Sequence, residues 1–307
     1  MKYLASIFSF IFIILVLELF TRLVIDNGMN YEIEMQKYAN NLKKISANPK
    51  VGIEHRRNKN DYLMGAKVIL NNNGFRNKTN FKLKGKKILM LGDSMTFGWG
   101  AKEPFPNLLN EIYKNNNVIN AGIGNTNTYM QIENFFENFK DLFDYEMIVL
   151  NFFINDFENI KIKKANFIEK NSYLYTYAFS NINHLLIKYK LSDDWKNFYS
   201  KTFYDENSKN KIFDKILILK KYCIKNDIKF VIHNIPELRN LKNYTFSSET
   251  ILIEKFAKNN DIQFINSLDH LKFCKEESLW VTKKDSHAND KAHKIIADFF
   301  VEKFPNY

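Results

Sequence analysis

Cysteine is scarce in this 307-residue chain: Cys223 and Cys274 are its only two, far apart and without metal-ligand spacing. That excludes a disulfide framework and a zinc site, and each cysteine reads as a small core residue in apolar surroundings. Internal repeats are missing, and so is any nucleic-acid-binding motif. Acidic residues are the minority, 34 against 45 Lys and Arg, for a formal charge of +11 and a pI near 9.3. The lysines are nevertheless spread along the chain among Asn, Ile and Phe, with local density only at 82–87 and 161–164. Such a distribution reads as biased composition and not as a binding stripe, and no nucleic acid is expected as partner.

Long apolar runs are also absent, except at the N-terminus. From Leu4 to Leu17 only Ser6 and Ser9 interrupt an apolar stretch, and Glu18 and Arg22 follow before Leu23-Val24-Ile25. As helix, residues 3–25 would reach about 35 Å, enough to cross a bilayer. No small-x-small cleavage site follows, so residues 1–25 read as an uncleaved transmembrane signal anchor, with a cleaved signal peptide or a buried helix as alternatives. Lys2 favours a cytoplasmic start, while Lys37, Lys43 and Lys44 weaken the charge rule; the remaining domain is expected outside the cytoplasm, periplasmic or at the cell surface.

The 45% hydrophobic content is ample for a core. Residues 26–85 are polar and read as a stem and lead-in, with a helix around 30–45, a short strand at Val68-Ile69-Leu70 and an Asn73-Gly74 turn. From 86 to 307 short apolar runs alternate with longer amphipathic ones. Strands are expected at 87–91, 117–121, 146–152, 228–235 and 262–265, and helices at 105–115, 127–142, 209–226, 248–260 and 290–303. This alternation predicts an α/β fold with a parallel sheet covered on both faces. The aromatic-rich stretch 157–208 interrupts it and is expected to be an insertion with its own helices, packed on the domain or lining a sugar-binding cleft.

Three of these strands end in unusual polar segments: Gly92-Asp93-Ser94, then Gly122-Ile123-Gly124-Asn125-Thr126, then Ile154-Asn155-Asp156. Strand ends of an open α/β sheet converge at one edge, where sites form. A serine there can attack a carbonyl, and the oxygen that becomes negative needs donors about 3 Å away. The backbone N–H of Ser94, the N–H of Gly124 and the amide of Asn155 are the candidates. Near the C-terminus Asp285-Ser286-His287 offers a base in His287 and an orienting carboxylate in Asp285, read as lying in a loop before the last helix. Asp93 and Asp156 read as carboxylates that hold loop backbone. His293 reads as a packing or capping residue, His233 as core, Asn289 as a brace of the base loop and Asp290 as an N-cap.

The combination of Gly-Asp-Ser, Gly124, Asn155-Asp156 and Asp285-x-His287 resembles the SGNH/GDSL hydrolase family over 86–303. Asn71-x-x-Gly74-Phe75-Arg76 and the N-terminal anchor resemble the lead-in of membrane-anchored members linked to polysaccharide acylation or deacylation. The resemblance implies a flavodoxin-like three-layer sandwich with a five-stranded parallel sheet in the order 2-1-3-4-5, and no cofactor or metal. It further implies Ser94 as nucleophile, His287 as base, Asp285 as its orienter, and Ser94, Gly124 and Asn155 as oxyanion hole. The expected substrate is an acylated carbohydrate or other ester, deacylated by water or, with the same residues, by transfer to another hydroxyl. A non-catalytic, membrane-tethered glycan-binding protein is the reading from another class. Two departures stand out: Phe153 replaces the usual glycine two places before Asn155, which narrows the acyl pocket, and the last block is Asp-x-His where Asp-x-x-His is common.

Overall fold

The structure is a computed structural model and describes residues 2–79, 81, 85–113 and 117–307. The first three residues of the basic run at 82–87 lie outside the described residues.

The chain begins with α1 (Lys2–Phe20), continued by a wider turn at Thr21–Ile25, and then α2 (Tyr31–Asn41), whose N-cap Asn30 accepts from the Ile33 N–H. Two hairpins follow: β1 (Lys43–Ile45) with β2 (Ile53–His55), and β3 (Lys59–Leu63) with β4 (Ala66–Leu70). The α/β part runs β5 (Lys87–Leu91), α3 (Ser94–Phe97), α4 (Phe105–Ile112), β6 (Asn117–Asn120), α5 (Thr128–Asn134) and β7 (Tyr145–Phe152). Next come α6 (Phe167–Asn171), α7 (Tyr173–Lys188), α8 (Trp195–Phe203), α9 (Glu206–Lys225), β8 (Lys229–Asn234), α10 (Ser247–Asn259), β9 (Gln263–Asn266) and α11 (Leu268–Leu271). A hairpin of β10 (Trp280–Thr282) and β11 (Asp285–Ala288) leads into α12 (Asp290–Lys303).

Five strands form one parallel sheet in the order β6-β5-β7-β8-β9, with Met90 of β5 beside Asn120 of β6 and Val149 of β7. Every residue of β5 is buried, as a strand with both faces covered must be. Helices pack on both faces, and Leu89, Val149 and Val231 lie in a continuous core with Phe135, Leu219, Ile296 and Phe300. The long helix expected over 127–142 ends at Asn134 and continues as a wider π-type turn over Phe135–Phe139.

Of the residues expected as a stem with an irregular lead-in, 31–70 fold against the domain. Tyr38, Leu42, Val68 and Leu70 bury themselves with Phe97 and Trp99 in a second apolar cluster, directly under the turn that follows Ser94. The expected insertion does carry its own helices. Of its aromatics Phe203 is fully buried against Phe157, while Tyr175 and Phe179 of α7 remain exposed.

Helix α1 is long and apolar enough to cross a membrane, with Tyr3–Ile25 as the candidate span. Its polar end is tied to the domain. Glu18 accepts from the backbone N–H groups of Tyr173 and Leu174, both at 3.0 Å, and from Ser172 Oγ at 2.8 Å. These are donors at the start of α7 that its own helix cannot satisfy. Arg22 pairs with Glu18 and lies 3.9 Å from the centre of the Tyr173 ring.

Candidate active site

The loop that carries Ser94 is shaped by three local devices. Asp93 caps the short helix α3, its Oδ1 accepting from the Met95 N–H at 2.8 Å. Gly98 ends the helix at φ +85°, where a Cβ would stand 2.5 Å from Pro104 Cγ, so a side chain is excluded twice over. Arg76, buried, then donates to the carbonyls of Phe97 at 2.8 Å, Ala101 at 2.6 Å and Gly98. Arg76 of the lead-in motif thus ties down the carbonyls that the end of α3 exposes.

The candidate base, His287, comes from the opposite side. Asp285 and His287 lie on the strand β11 and not in a loop, and the two-residue period of a strand turns both to one face. That is why Asp-x-His works here: His287 Nδ1 stands 2.6 Å from Asp285 Oδ1, and its Nε2 stands 2.9 Å from Ser94 Oγ. Burial alone would push the Asp285 carboxyl up, yet the His287 charge, its hydrogen bonds and the Trp99 indole N–H at 3.0 Å hold it below its ordinary value. Burial likewise works to lower His287, and the Asp285 charge and hydrogen bond outweigh it, so the imidazole titrates above its usual value. With Nδ1–H directed to the carboxylate, Nε2 is the nitrogen free to accept the serine proton.

Among the candidate oxyanion donors, Gly124 already has a partner. Its N–H donates to Tyr38 Oη at 3.0 Å and does not face an empty position. A Cβ on Gly124 would stand 2.9 Å from Tyr38 Cε1 and 3.5 Å from Ser94 Cβ, so the glycine admits the tyrosine ring beside the serine. The tyrosine is fixed in turn by His55. His55 Nδ1 is 3.0 Å from the Gly74 carbonyl, which can only accept, so Nε2 carries no proton and accepts from Tyr38 O–H at 2.6 Å. Burial depresses His55 to about 3, and it stays neutral. Asn155 lines the same cavity as Ser94, and its Oδ1 is buried without a partner among the described residues. The Ser94 N–H opens α3, where a helix has no internal acceptor to offer.

Asp93 and Asp156 hold backbone, as read from the sequence: Asp156 accepts from the Phe153 N–H at 2.9 Å and from Gln131 Nε2 at 2.8 Å. Both carboxyls titrate above their usual range, through burial first and, for Asp156, through the charge of Asp93. His233 lies in the core between Asn151 and Ser267, and His293 accepts from the Phe105 N–H while stacking on that ring. The expected cap is shifted by one residue. Asn289 caps α12 and also binds the Ser278 and Trp280 carbonyls, whereas Asp290 reaches the Lys102 and Glu103 amides.

Ser94 and His287 open onto a cavity of about 100 Å³ shared with Tyr31, Met95, Phe153 and Asn155. Phe153 is buried in its wall and packs edge-on against Tyr199, the one insertion aromatic that reaches it. The Tyr31 ring stacks 5.8 Å from the His287 ring. Glu237 accepts from Ser286 Oγ and pairs with Arg239, whose guanidinium lies 3.7 Å from the centre of the Trp195 ring. Sequence reasoning missed Tyr31, Tyr38, Trp99, Glu237 and Arg239. Trp99 alone carried a signal, its place five residues after Ser94 in a Gly-rich loop. Among the described residues no group of three or more His, Cys, Asp or Glu is placed to hold a metal ion.

No family model matches the chain, and no curated protein matches it. Solved structures similar to it include an acetylxylan esterase from Geobacillus stearothermophilus, at 12% identity and a TM-score of 0.46 over 72% of this chain and 95% of that one. Another is a lipolytic protein of the G-D-S-L family from Veillonella parvula, at 13% identity and a TM-score of 0.44 over 73% of this chain and 100% of that one. A further acetyl xylan esterase matches at 14% identity and a TM-score of 0.44 over 71% of this chain and 99% of that one. Likeness this distant decides nothing about chemistry, which has to follow from the site itself.

Proposed function

We propose that the chain is a serine-dependent hydrolase of O-acyl groups, acetyl in the first instance, on a carbohydrate or cell-surface polysaccharide. The observation that carries this reading is the continuous relay from Ser94 Oγ through His287 Nε2, at 2.9 Å, and from His287 Nδ1 to Asp285, at 2.6 Å. Ser94 Oγ bonds to the ester carbonyl carbon as its proton passes to His287 Nε2. When the tetrahedral intermediate collapses, the alcohol leaves with that proton and an acyl-serine remains. Water then gives its proton to His287, attacks the acyl carbon and releases the acid, restoring the serine hydroxyl. The Ser94 N–H and the Asn155 amide supply the oxyanion donors; Gly124 joins them only if the Tyr38 hydroxyl gives way. The small cavity beside Phe153 suits a short acyl group.

We read the chain as three parts: an anchor at 1–25, a lead-in at 26–85 and a catalytic domain at 86–307 with its insertion at 157–208. The bonds from Glu18 to the start of α7 support an anchor that is kept, because cleavage after it would leave those amides without their acceptor. Tyr175, Phe179, Ile182 and Leu186 are exposed at helical spacing along α7, whose start is held at the polar end of α1, and they suit a bilayer surface. We infer that the domain lies on the extracytoplasmic side.

A fluorophosphonate probe and an aryl acetate test the reading on the full chain in detergent, with and without an acceptor glycan. Labelling that Ser94→Ala abolishes, with free acetate as main product, is the expected result. Acylated glycan as main product would make the chain a transferase. Neither labelling nor turnover on any short acyl ester would leave the non-catalytic, glycan-binding alternative.

A further inference from the structure

Beside the catalytic cavity lies a larger cleft of about 580 Å³ that the proposed chemistry does not use. One wall comes from the first hairpin, with Lys43, Lys44 and Arg56; the other comes from the segment after β7, with Lys161, Lys164 and Lys170. Lysines that look dispersed in the sequence are therefore gathered in space. No carboxylate lines the cleft. From outside it Glu54 pairs with Lys44 at 2.9 Å, and Glu169 pairs with the remaining wall lysine, Lys163, at 3.0 Å. Among the described residues no carboxylate stands within ion-pair distance of Lys43, Arg56, Lys161, Lys164 or Lys170.

Lys43 is the notable member, because it is only 6% exposed. Its ammonium donates to the Gly124 carbonyl at 3.2 Å and lies 4.4 Å from the centre of the Tyr38 ring. Burial lowers its titration to about 8, so a nearby anion would relieve a real cost. Asn125 lines both the cleft and the catalytic cavity, which makes the two spaces neighbours across one residue. The rest of the lining is aliphatic, including Ile45, Ile53, Ile160 and Ile162, and no aromatic ring is present. Single-stranded nucleic acid is held on aromatic stacking platforms, and none exists here.

We propose that this cleft binds a negatively charged glycan chain, carrying carboxylate or phosphate groups, whose ester is presented across Asn125 to Ser94. The proposal rests on the hydrolase reading for the ester, but not for the binding. Its test uses the full chain in detergent and fluorescently labelled oligogalacturonate, with xylo-oligosaccharide of equal length as the neutral control. Binding of the acidic oligomer only, weakened about tenfold in the triple variant K161Q/K164Q/K170Q and by raised salt, is expected. Turnover of aryl acetate and the melting temperature should not change in that variant. Equal binding of both oligomers, or unchanged acidic binding in the folded triple variant, overturns the proposal. So does tighter binding of phosphatidylglycerol vesicles or of oligo(dT) at the same lysines. Acidic binding without aryl-acetate turnover would leave the cleft standing and remove the hydrolase reading instead.

Discussion

The β10–β11 hairpin and the segment around α2 reach the same serine from distant parts of the chain, and they hold it by different means. The hairpin uses ionisable groups two residues apart, joined by a short ring–carboxylate hydrogen bond of 2.6 Å and a backbone N–H bond of 3.1 Å between His287 and Asp285. The α2 segment uses rings. Tyr31 lies against His287, and Tyr38 sits under Phe97 and Trp99 with its hydroxyl between Gly124 and His55. Residues that do chemistry need particular functional groups at fixed spacing, whereas residues that position them need only shape and a satisfied polar tip.

The contrast breaks most visibly at the relay itself. Ser94→Ala and His287→Ala should each lower kcat for an aryl acetate by about 10⁴-fold or more with the melting temperature little changed. A loss under tenfold in either would remove the relay as the working unit.

Asp285→Asn should cost about one to two powers of ten less than those two. It should also shift the pH profile. A base at His287 would act only when neutral, and Asp285 raises His287, so the wild-type acid limb of kcat/KM is expected above the ordinary imidazole value, with activity falling as pH drops through it. Removing the carboxylate charge should move that limb to lower pH; a limb that stays put would mean another group sets it. Trp99→Phe, which deprives Asp285 of one donor and leaves its carboxylate a stronger partner for the imidazolium, should cost about tenfold, with a small shift of that limb to higher pH.

On the ring side the effects shrink. Tyr31→Ala should lower kcat about 2- to 10-fold while Tyr31→Phe leaves it unchanged, because stacking and not the hydroxyl acts on His287. Tyr38→Phe should cost about 1–3 kcal/mol of stability in denaturant unfolding, since it strands the buried His55 Nε2. Its kcat should not fall, as the Gly124 N–H is released; a tenfold fall would assign the Tyr38 hydroxyl a direct part in the oxyanion site.

Much of the sheet was legible because its signal is local. The run Lys87-Ile88-Leu89-Met90-Leu91 is apolar enough to demand burial on both faces, and the observed strand has the expected bounds. Residues 117–120 and 145–152 follow the same logic. The strand β11 looks like a loop in the sequence because four residues, Asp285-Ser286-His287-Ala288, carry no apolar alternation; pairing with β10 makes the strand. The lead-in looked like a stem because its apolar residues, Tyr38, Leu42, Leu63 and Val68, are scattered. They find one another, and Trp99, only after the hairpins close.

Composition and spacing alone determined that a parallel sheet would bring Ser94, Gly124 and Asn155 to one edge, that Asp285 and His287 belong together, and that the first helix is apolar enough to span a bilayer. Each rests on interactions within a few residues or on a periodic burial pattern, which a linear sequence records directly. Only the tertiary structure decided that Gly124 gives its N–H to Tyr38, that Trp99 steadies Asp285, and that lysines more than a hundred positions apart line one cleft next to the serine. Such contacts depend on which distant surfaces meet, and no local pattern of residue types encodes that meeting.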